Sequence, residues 1–383
     1  MMKNKLLNSL ILTALAVPGL AMAADATPAA PAAPTLSSVL DASGVSVTGD
    51  MDFAYSHLSS TGQFTSGVNN RVFDYAHNSF TMQQVDLAIA KLPAEGFGGM
   101  VETTLGKDAS TIASYGTASP NQTYDLTQAF AQYATGNWTT IAGKFVTMAG
   151  AEVIKASANT NYSRSILFGY AIPFTHTGVR TTYKVSDAVS LTGGVNNGWD
   201  QATDANSQKT VELAAVLNPT KSFALTADVY TGAEPITAGA TTGPGAAIGT
   251  RNLLDLVGTY TVTDSLNFVL NYDNGSQANA PLANALTGTA KWSGLAAYAN
   301  YQINDPWSVS ARAETFNDAN GYRTGVAQTW KEATVTVGYA ASKNTELRGE
   351  LRKDFSDVAS FQYSDGIARK GQSSMAMEAL YKF

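Results

Sequence analysis

Arg348, Glu350, Arg352 and Asp354 stand at alternate positions of one stretch, with Leu347, Gly349 and Leu351 on the other parity. A period of two puts the four charges on one face of a β-strand and the apolar residues on the opposite face. No nucleophile with a partner base stands in this row. The chemistry it supports is solvation and field, a surface of both signs that holds water and ions. The same parity in other stretches gathers Asp50, Asp52, Asp86, Glu102, Arg180, Lys184, Glu212, Asp228, Asp255, Asp273, Arg312 and Glu314. A charge turned to hydrocarbon costs about 2–4 kcal/mol at mid-membrane, so a chain that crosses a bilayer in such strands must enclose these residues around water.

Catalytic chemistry is thinly provided for. Cysteine is absent, which removes thiolate catalysis, Cys metal sites and disulfides. The three histidines are His57, His77 and His176, and no serine sits in a Gly-x-Ser-x-Gly elbow with a plausible His and acid. No phosphate loop, dinucleotide fingerprint or zinc helix is present. An enzyme reading survives only as a barrel hydrolase using His57 or His77 with a nearby Ser or Asp at the outer rim, and such enzymes usually occupy narrower barrels. The expectation is therefore no enzyme: no catalytic residue, no metal set and no cofactor.

The elements that position the charges follow from the rest of the chain. Lys3 and Lys5, the apolar run Leu6 to Leu20 and the small-residue pattern Ala21-Met22-Ala23 read as a signal peptide over residues 1–23. Its removal takes the formal charge from −6 to −8, since Lys3 and Lys5 leave with no acid, and that balance excludes nucleic acid as a partner. Residues 24–43, with Pro28, Pro31 and Pro34 among alanines, read as an extended periplasmic tether. No other run approaches the roughly 18 apolar residues of a spanning helix, so a membrane-crossing chain must use strands.

From residue 44 to 383 about sixteen strand-like segments follow one another, near 44–56, 80–92, 97–106, 125–135, 138–146, 176–186, 188–196, 209–218, 221–231, 252–262, 265–274, 291–303, 306–316, 327–340, 345–355 and 373–383. Short turns such as Thr135-Gly136-Asn137 alternate with long polar loops such as 59–79, 232–251 and 274–290. Tyr183, Tyr260, Tyr301, Trp307, Tyr339 and Phe383 lie by the short turns on the apolar parity, and Tyr55 and Tyr272 towards the long loops, as two aromatic girdles would. The fold expected is an all-β, transmembrane, antiparallel up-and-down barrel of about 16 strands with short periplasmic turns and long external loops. The last strand carries Met375, Met377, Ala379, Tyr381 and Phe383 on one parity and resembles the closing strand of outer-membrane barrels, which is read by the barrel-assembly machinery.

A barrel this wide keeps an aqueous channel, lined by Asp50, Asp52, Asp86, Glu102, Arg180, Arg312, Arg348, Glu350 and Arg352. The third long loop, 148–175, is the longest. Ala149 to Ala158 reads as a helix, Ile166, Leu167, Phe168 and Tyr170 as anchors to the inner wall, and Glu152, Lys155, Asn161 and Arg164 as a constriction. Gly143-Lys144-Phe145, Asn161-Tyr162-Ser163-Arg164-Ser165, Phe168, Pro173-Phe174-Thr175-His176-Thr177-Gly178-Val179 and Asn196-Asn197-Gly198-Trp199-Asp200 resemble the central region of the OmpL-like β-barrel porins, the porin-2 family. The resemblance is strongest over residues 140 to 200. It implies a channel in the bacterial outer membrane, in contact with lipid and lipopolysaccharide, passing small hydrophilic solutes or ions by passive diffusion, with a homotrimer by porin analogy. The rival is a surface anchor or adhesin with a blocked lumen.

Overall fold

A computed structural model describes residues 35–119, 122–236, 247–282 and 287–383. The signal-peptide reading and the proline-bearing part of the tether lie outside the described residues. The last eight tether residues are a helix and not an extended strand. In α1, Leu36–Ser43, Thr35 caps the first turn by accepting the Ser38 N–H at 3.2 Å. Gly44 ends the helix in the left-handed region at φ 67°. The prolines stop at Pro34, so nothing forbids a helix after them.

Fifteen strands then run in order: β1 Ser46–Leu58, β2 Ser79–Lys91, β3 Gly96–Leu105, β4 Tyr124–Thr135, β5 Trp138–Val146, β6 Thr175–Ser186, β7 Val189–Asn196 and β8 Thr210–Thr220. They continue with β9 Phe223–Pro235, β10 Ile248–Thr263, β11 Leu266–Pro281, β12 Thr287–Gln302, β13 Trp307–Asp318, β14 Gln328–Ala340 and β15 Thr345–Ser356. The closing strand, Gly371–Lys382, pairs with β15 on one side and with β1 on the other. Every neighbouring pair is antiparallel and consecutive, and the sixteen strands form a closed barrel. Closure removes both sheet edges, which a lone sheet would leave as unpaired N–H and C=O groups in hydrocarbon.

The strands alternate as the sequence requires. Phe53, Leu87, Ile89, Val101, Leu213, Leu270, Val335, Leu351 and Met377 are exposed on the outer face, while Asp50, Asp52, Asp86, Asp228, Asp255 and Asp354 are buried on the inner one. Aromatic pairs mark the short-turn rim: Trp138 with Tyr183, Phe97 with Tyr133, and Trp307 with Tyr339, their ring centres 4.4–4.7 Å apart. At the long-loop rim Tyr55 meets Phe80 at 5.0 Å.

Two loop expectations need correction. Residues 274–281, 287–290 and 248–251 belong to β10, β11 and β12 and not to long loops. Asn274, Gly275, Ser276 and Gln277 carry turn chemistry, yet their backbone groups pair with 251–254 and 290–293. Trp292 lies over Gly275, where a Cβ would come within 2.1 Å of the indole. The tertiary contact overrides the local propensity.

Closure depends on a second close approach. Gly49 exchanges backbone hydrogen bonds with Phe383 at 3.0 and 2.9 Å, and a Cβ on Gly49 would lie 2.4 Å from the Phe383 ring and 2.6 Å from the Asp86 carbonyl. Gly49→Val should therefore destabilise the closed barrel by about 1–3 kcal/mol, as overpacking does. Thermal unfolding in detergent, read by the loss of heat-modifiable migration, checks this; unchanged migration would remove Gly49 from the account of closure.

Candidate functional site: a loop held across the lumen

The third long loop, hereafter L3, spans residues 147–174 between β5 and β6. It runs through the lumen and bonds to the walls formed by β1, β2, β11 and β13–β15. The helix expected over 149–158 is absent; the segment is irregular, with one 3-10 turn at Ala156–Ala158. Its backbone donors are claimed elsewhere. Ala151 donates to Asn271 Oδ1 at 3.2 Å, Ala156 to Gln84 Oε1 at 2.9 Å and Ser157 to Asp50 Oδ2 at 3.2 Å. Wall side chains thus take the bonds that helical carbonyls would have accepted.

The second half of L3 is held more tightly. Glu350 on β15 accepts the Tyr162 N–H at 2.8 Å and the Ser163 N–H at 3.1 Å, and Asn161 Nδ2 donates to Thr336 Oγ1 at 2.7 Å. A short helix, Ile166–Tyr170, begins with its first N–H groups pointed at Glu314 on β13, 2.7 and 3.2 Å from Ile166 and Leu167. Ser165 caps it by accepting the Phe168 N–H at 3.0 Å. Gly294 on β12 leaves room for this helix, since a Cβ there would sit 2.6 Å from Leu167 Cδ1.

The charges form one connected line. Arg71, from the first long loop, binds Asp354 at 3.0 Å; Asp354 binds Arg352 at 2.9 Å; Arg352 meets Glu332 at 3.5 Å; Glu332 binds Arg312 at 2.9 Å; Arg312 binds Glu152 of L3 at 2.8 Å. The Arg312 side chain has no solvent exposure. Arg312 and Arg352 also donate to the carbonyls of Ser163 and Arg164, at 2.6 and 2.8 Å. Buried charges left in such number are tolerable only when paired and hydrogen-bonded.

The residues expected at the site divide accordingly. Arg312, Glu350 and Arg352 face inward but meet L3 and not open water. Glu152 and Arg164, expected to face the hole, are buried: Glu152 against Arg312 and the Ser165 N–H, Arg164 against the Ile154 carbonyl and the Phe73 ring. Their chain neighbours are pinned to the wall, which turns the side chains into the packed region. Lys155 keeps 29% side-chain exposure, with Asp86 at 2.8 Å and Asp50 at 3.7 Å. Burial alone would lower its pKa, and the bond to Asp86 more than reverses this. Asp52 lies inward near Glu378, Glu102 accepts from Gln128 Nε2, and Arg180 pairs with Glu212 at 2.6 Å. Arg348 sits between Glu346 and Glu378, at 2.7 and 3.2 Å.

Arg71 and Glu332 were not singled out in the sequence. Glu332 shares the inward parity of Trp330, Thr334 and Thr336, a signal that was available; Arg71 lies in Val68-Asn69-Asn70-Arg71, which has no periodicity to read.

Above this level the loops pack on one another. Phe64 and Phe73 from the first long loop, Phe168 and Phe174 from L3, Trp292, Trp330 and Phe361 form one buried apolar cluster. Two spaces remain beside it. A cavity of about 140 Å³ lies between L3 and β2–β5, with Asp86, Glu102, Gln128, Glu152 and Lys155 among its lining residues. At the short-turn end a vestibule of about 350 Å³ is lined by Ser157, Asn159, Thr160, Asn267, Ser310 and Arg348.

Arg312→Met should leave Glu152 buried without its cation and Glu332 with Arg352 alone, and lower the unfolding free energy by about 3–5 kcal/mol. Lys184→Ala, which removes the solvent-exposed pair Lys184–Asp187, should leave stability unchanged. Denaturant titration of both variants checks the contrast, and equal effects would mean that the interior pairs carry no special weight.

No curated protein sequence matches the chain. Among solved structures the fold is similar to OmpT, an outer membrane protein of Vibrio cholerae in trimer form, with 15% identity, TM-score 0.60, and coverage of 88% of this chain and 99% of that one. It is similar to the outer membrane channel DcaP of Acinetobacter baumannii, with 16% identity, TM-score 0.57, and coverage of 88% and 97%. It is also similar to an anion-selective porin from Comamonas acidovorans, with 9% identity, TM-score 0.57, and coverage of 88% and 99%. At these identities the likeness speaks for the fold. Residues 44–383 match the family described as "Putative beta-barrel porin-2, OmpL-like", and the chain belongs to that family of outer-membrane channels.

Proposed function

We propose that this porin carries small hydrophilic solutes and ions by passive diffusion through a lumen that L3 narrows. The observation that supports it is the line of charge from Arg71 to Glu152, which commits Arg312 and Arg352 to holding L3 and leaves Lys155, Asp86 and Glu102 beside the remaining cavity. Residues 1–23 act as the signal peptide, and 24–43 as a tether that ends in α1. The exposed apolar band contacts lipid and lipopolysaccharide, and the assembly machinery reads the closing strand through Phe383. A homotrimer is supported by the trimer form of the Vibrio cholerae neighbour.

One observation favours the blocked anchor instead: the apolar cluster joining three loops to Trp292 and Trp330. The hydrolase reading has less support. His57 is exposed and shares a hydrogen bond with Asn78 Oδ1 at 2.5 Å, and no carboxylate among the described residues is paired with it.

Purified protein added to a planar bilayer should give stepwise conductance increments, and proteoliposomes should swell in small sugars. A bilayer that stays silent while the protein inserts would favour the anchor. Turnover of ester or peptide substrates that is lost in His57→Ala or His77→Ala would favour the hydrolase.

A further inference from the structure

Acidic side chains outnumber basic ones inside the barrel. Among the described residues nineteen aspartates and glutamates are buried, against eight arginines and lysines. Since the outer face of the wall is apolar, these groups belong to the interior and its loops. The cations among them are distributed unevenly. Arg71, Lys144, Arg180, Arg312, Arg348 and Arg352 each lie within 4 Å of a carboxylate, so their fields are largely cancelled where they stand.

Some of the remaining acids have no cation beside them. Asp255 on β10 stands directly opposite Asp228 on β9 and Asp273 on β11, so three carboxylates form a row across adjacent strands. All three are fully buried. Both oxygens of Asp228 lack a hydrogen-bond partner, Asp255 accepts from Asn271 Nδ2 at 2.6 Å and from the Gly150 N–H, and Asp255 and Asp273 share a hydrogen bond. Carboxyl groups stacked this closely inside a low-dielectric wall, with no cation in contact, cannot all be ionised; the row shares protons and lends the lumen only part of its nominal charge.

The cavity beside L3 differs from the row in that its acids line open space and have a cation in contact. Asp86 and Glu102 line it, and Lys155 is the lining cation, held by Asp86 at 2.8 Å and Asp50 at 3.7 Å. Resting on the reading of the chain as a diffusion channel, we propose that this channel selects small cations. Asp86 and Glu102 supply the attraction at the narrow part, and Lys155 is the side chain that moderates it. The structural similarity to an anion-selective porin is no obstacle, because a shared wall fixes width while the inward residues fix the sign of the field.

The test is the reversal potential of the full chain in a planar bilayer under a potassium chloride gradient. The wild type should prefer potassium over chloride. Asp86→Asn should lower the permeability ratio by roughly two- to threefold, and Lys155→Gln should raise it by a similar factor, because the two substitutions change the charge of one contact in opposite directions. A purely structural role for the pair would move both ratios the same way, and that result would overturn the proposal. Chloride preference or no preference in the wild type would overturn it as well while leaving the diffusion channel intact. A wild type with no conductance would remove both readings together.

Discussion

A line of alternating charge crosses the inside of the barrel from Arg71 to Glu152, each member between about 2.8 and 3.5 Å from the next. The arrangement depends on it because the outer solvent is hydrocarbon. Strands of period two that must show Leu, Val and Phe to lipid have to turn their other parity inward, and in this chain that parity is charged. Left open, the charges would line a wide hole. Bridged by L3, they are desolvated, and only pairing and backbone hydrogen bonds make that tolerable. The wall and the loop therefore hold each other in place.

This mutual dependence explains how the loop's polar backbone survives inside. An irregular segment buried in a barrel would carry many unpaired N–H groups. Here the carboxylates of Glu314 and Glu350, placed on the wall by strand alternation alone, receive four of them, and Asn271, Gln84 and Asp50 receive others. Residues whose evident role is to face water turn out to supply the sockets for L3. The arginines of β13 and β15 are likewise occupied, which leaves Asp86 on β2 and Glu102 on β3 beside the remaining space.

The barrel was legible because its signal is repeated sixteen times and needs only parity. Strand order, closure and the inward set follow from it, whereas the passage of the third long loop through the lumen was implied by the resemblance to porins. The interior of L3 was not legible. Ala149 to Ala158 has the composition of a helix, and only the positions of Gln84, Asp50 and Asn271 on distant strands decide otherwise. Glu152 and Arg164 look like constriction residues in a polar loop, yet their packing depends on Arg312 and Phe73, 160 and 91 residues away in the chain. The extended ends of β10–β12 escaped for a related reason: beyond the bilayer both faces of a strand are wet, so alternation fades and Asn274-Gly275-Ser276 looks like a turn.

The central claim is that L3 stays docked on the wall in the working protein, and the absence of cysteine permits a direct measurement. Asn161 and Thr336 touch at 2.7 Å across the lumen. With both replaced by cysteine in the full chain, oxidation or a short bifunctional thiol reagent should join loop to wall rapidly and completely, and should leave single-channel conductance as it was before joining. Slow or partial joining, or a conductance that falls when the loop is fixed, would show that L3 spends its time elsewhere.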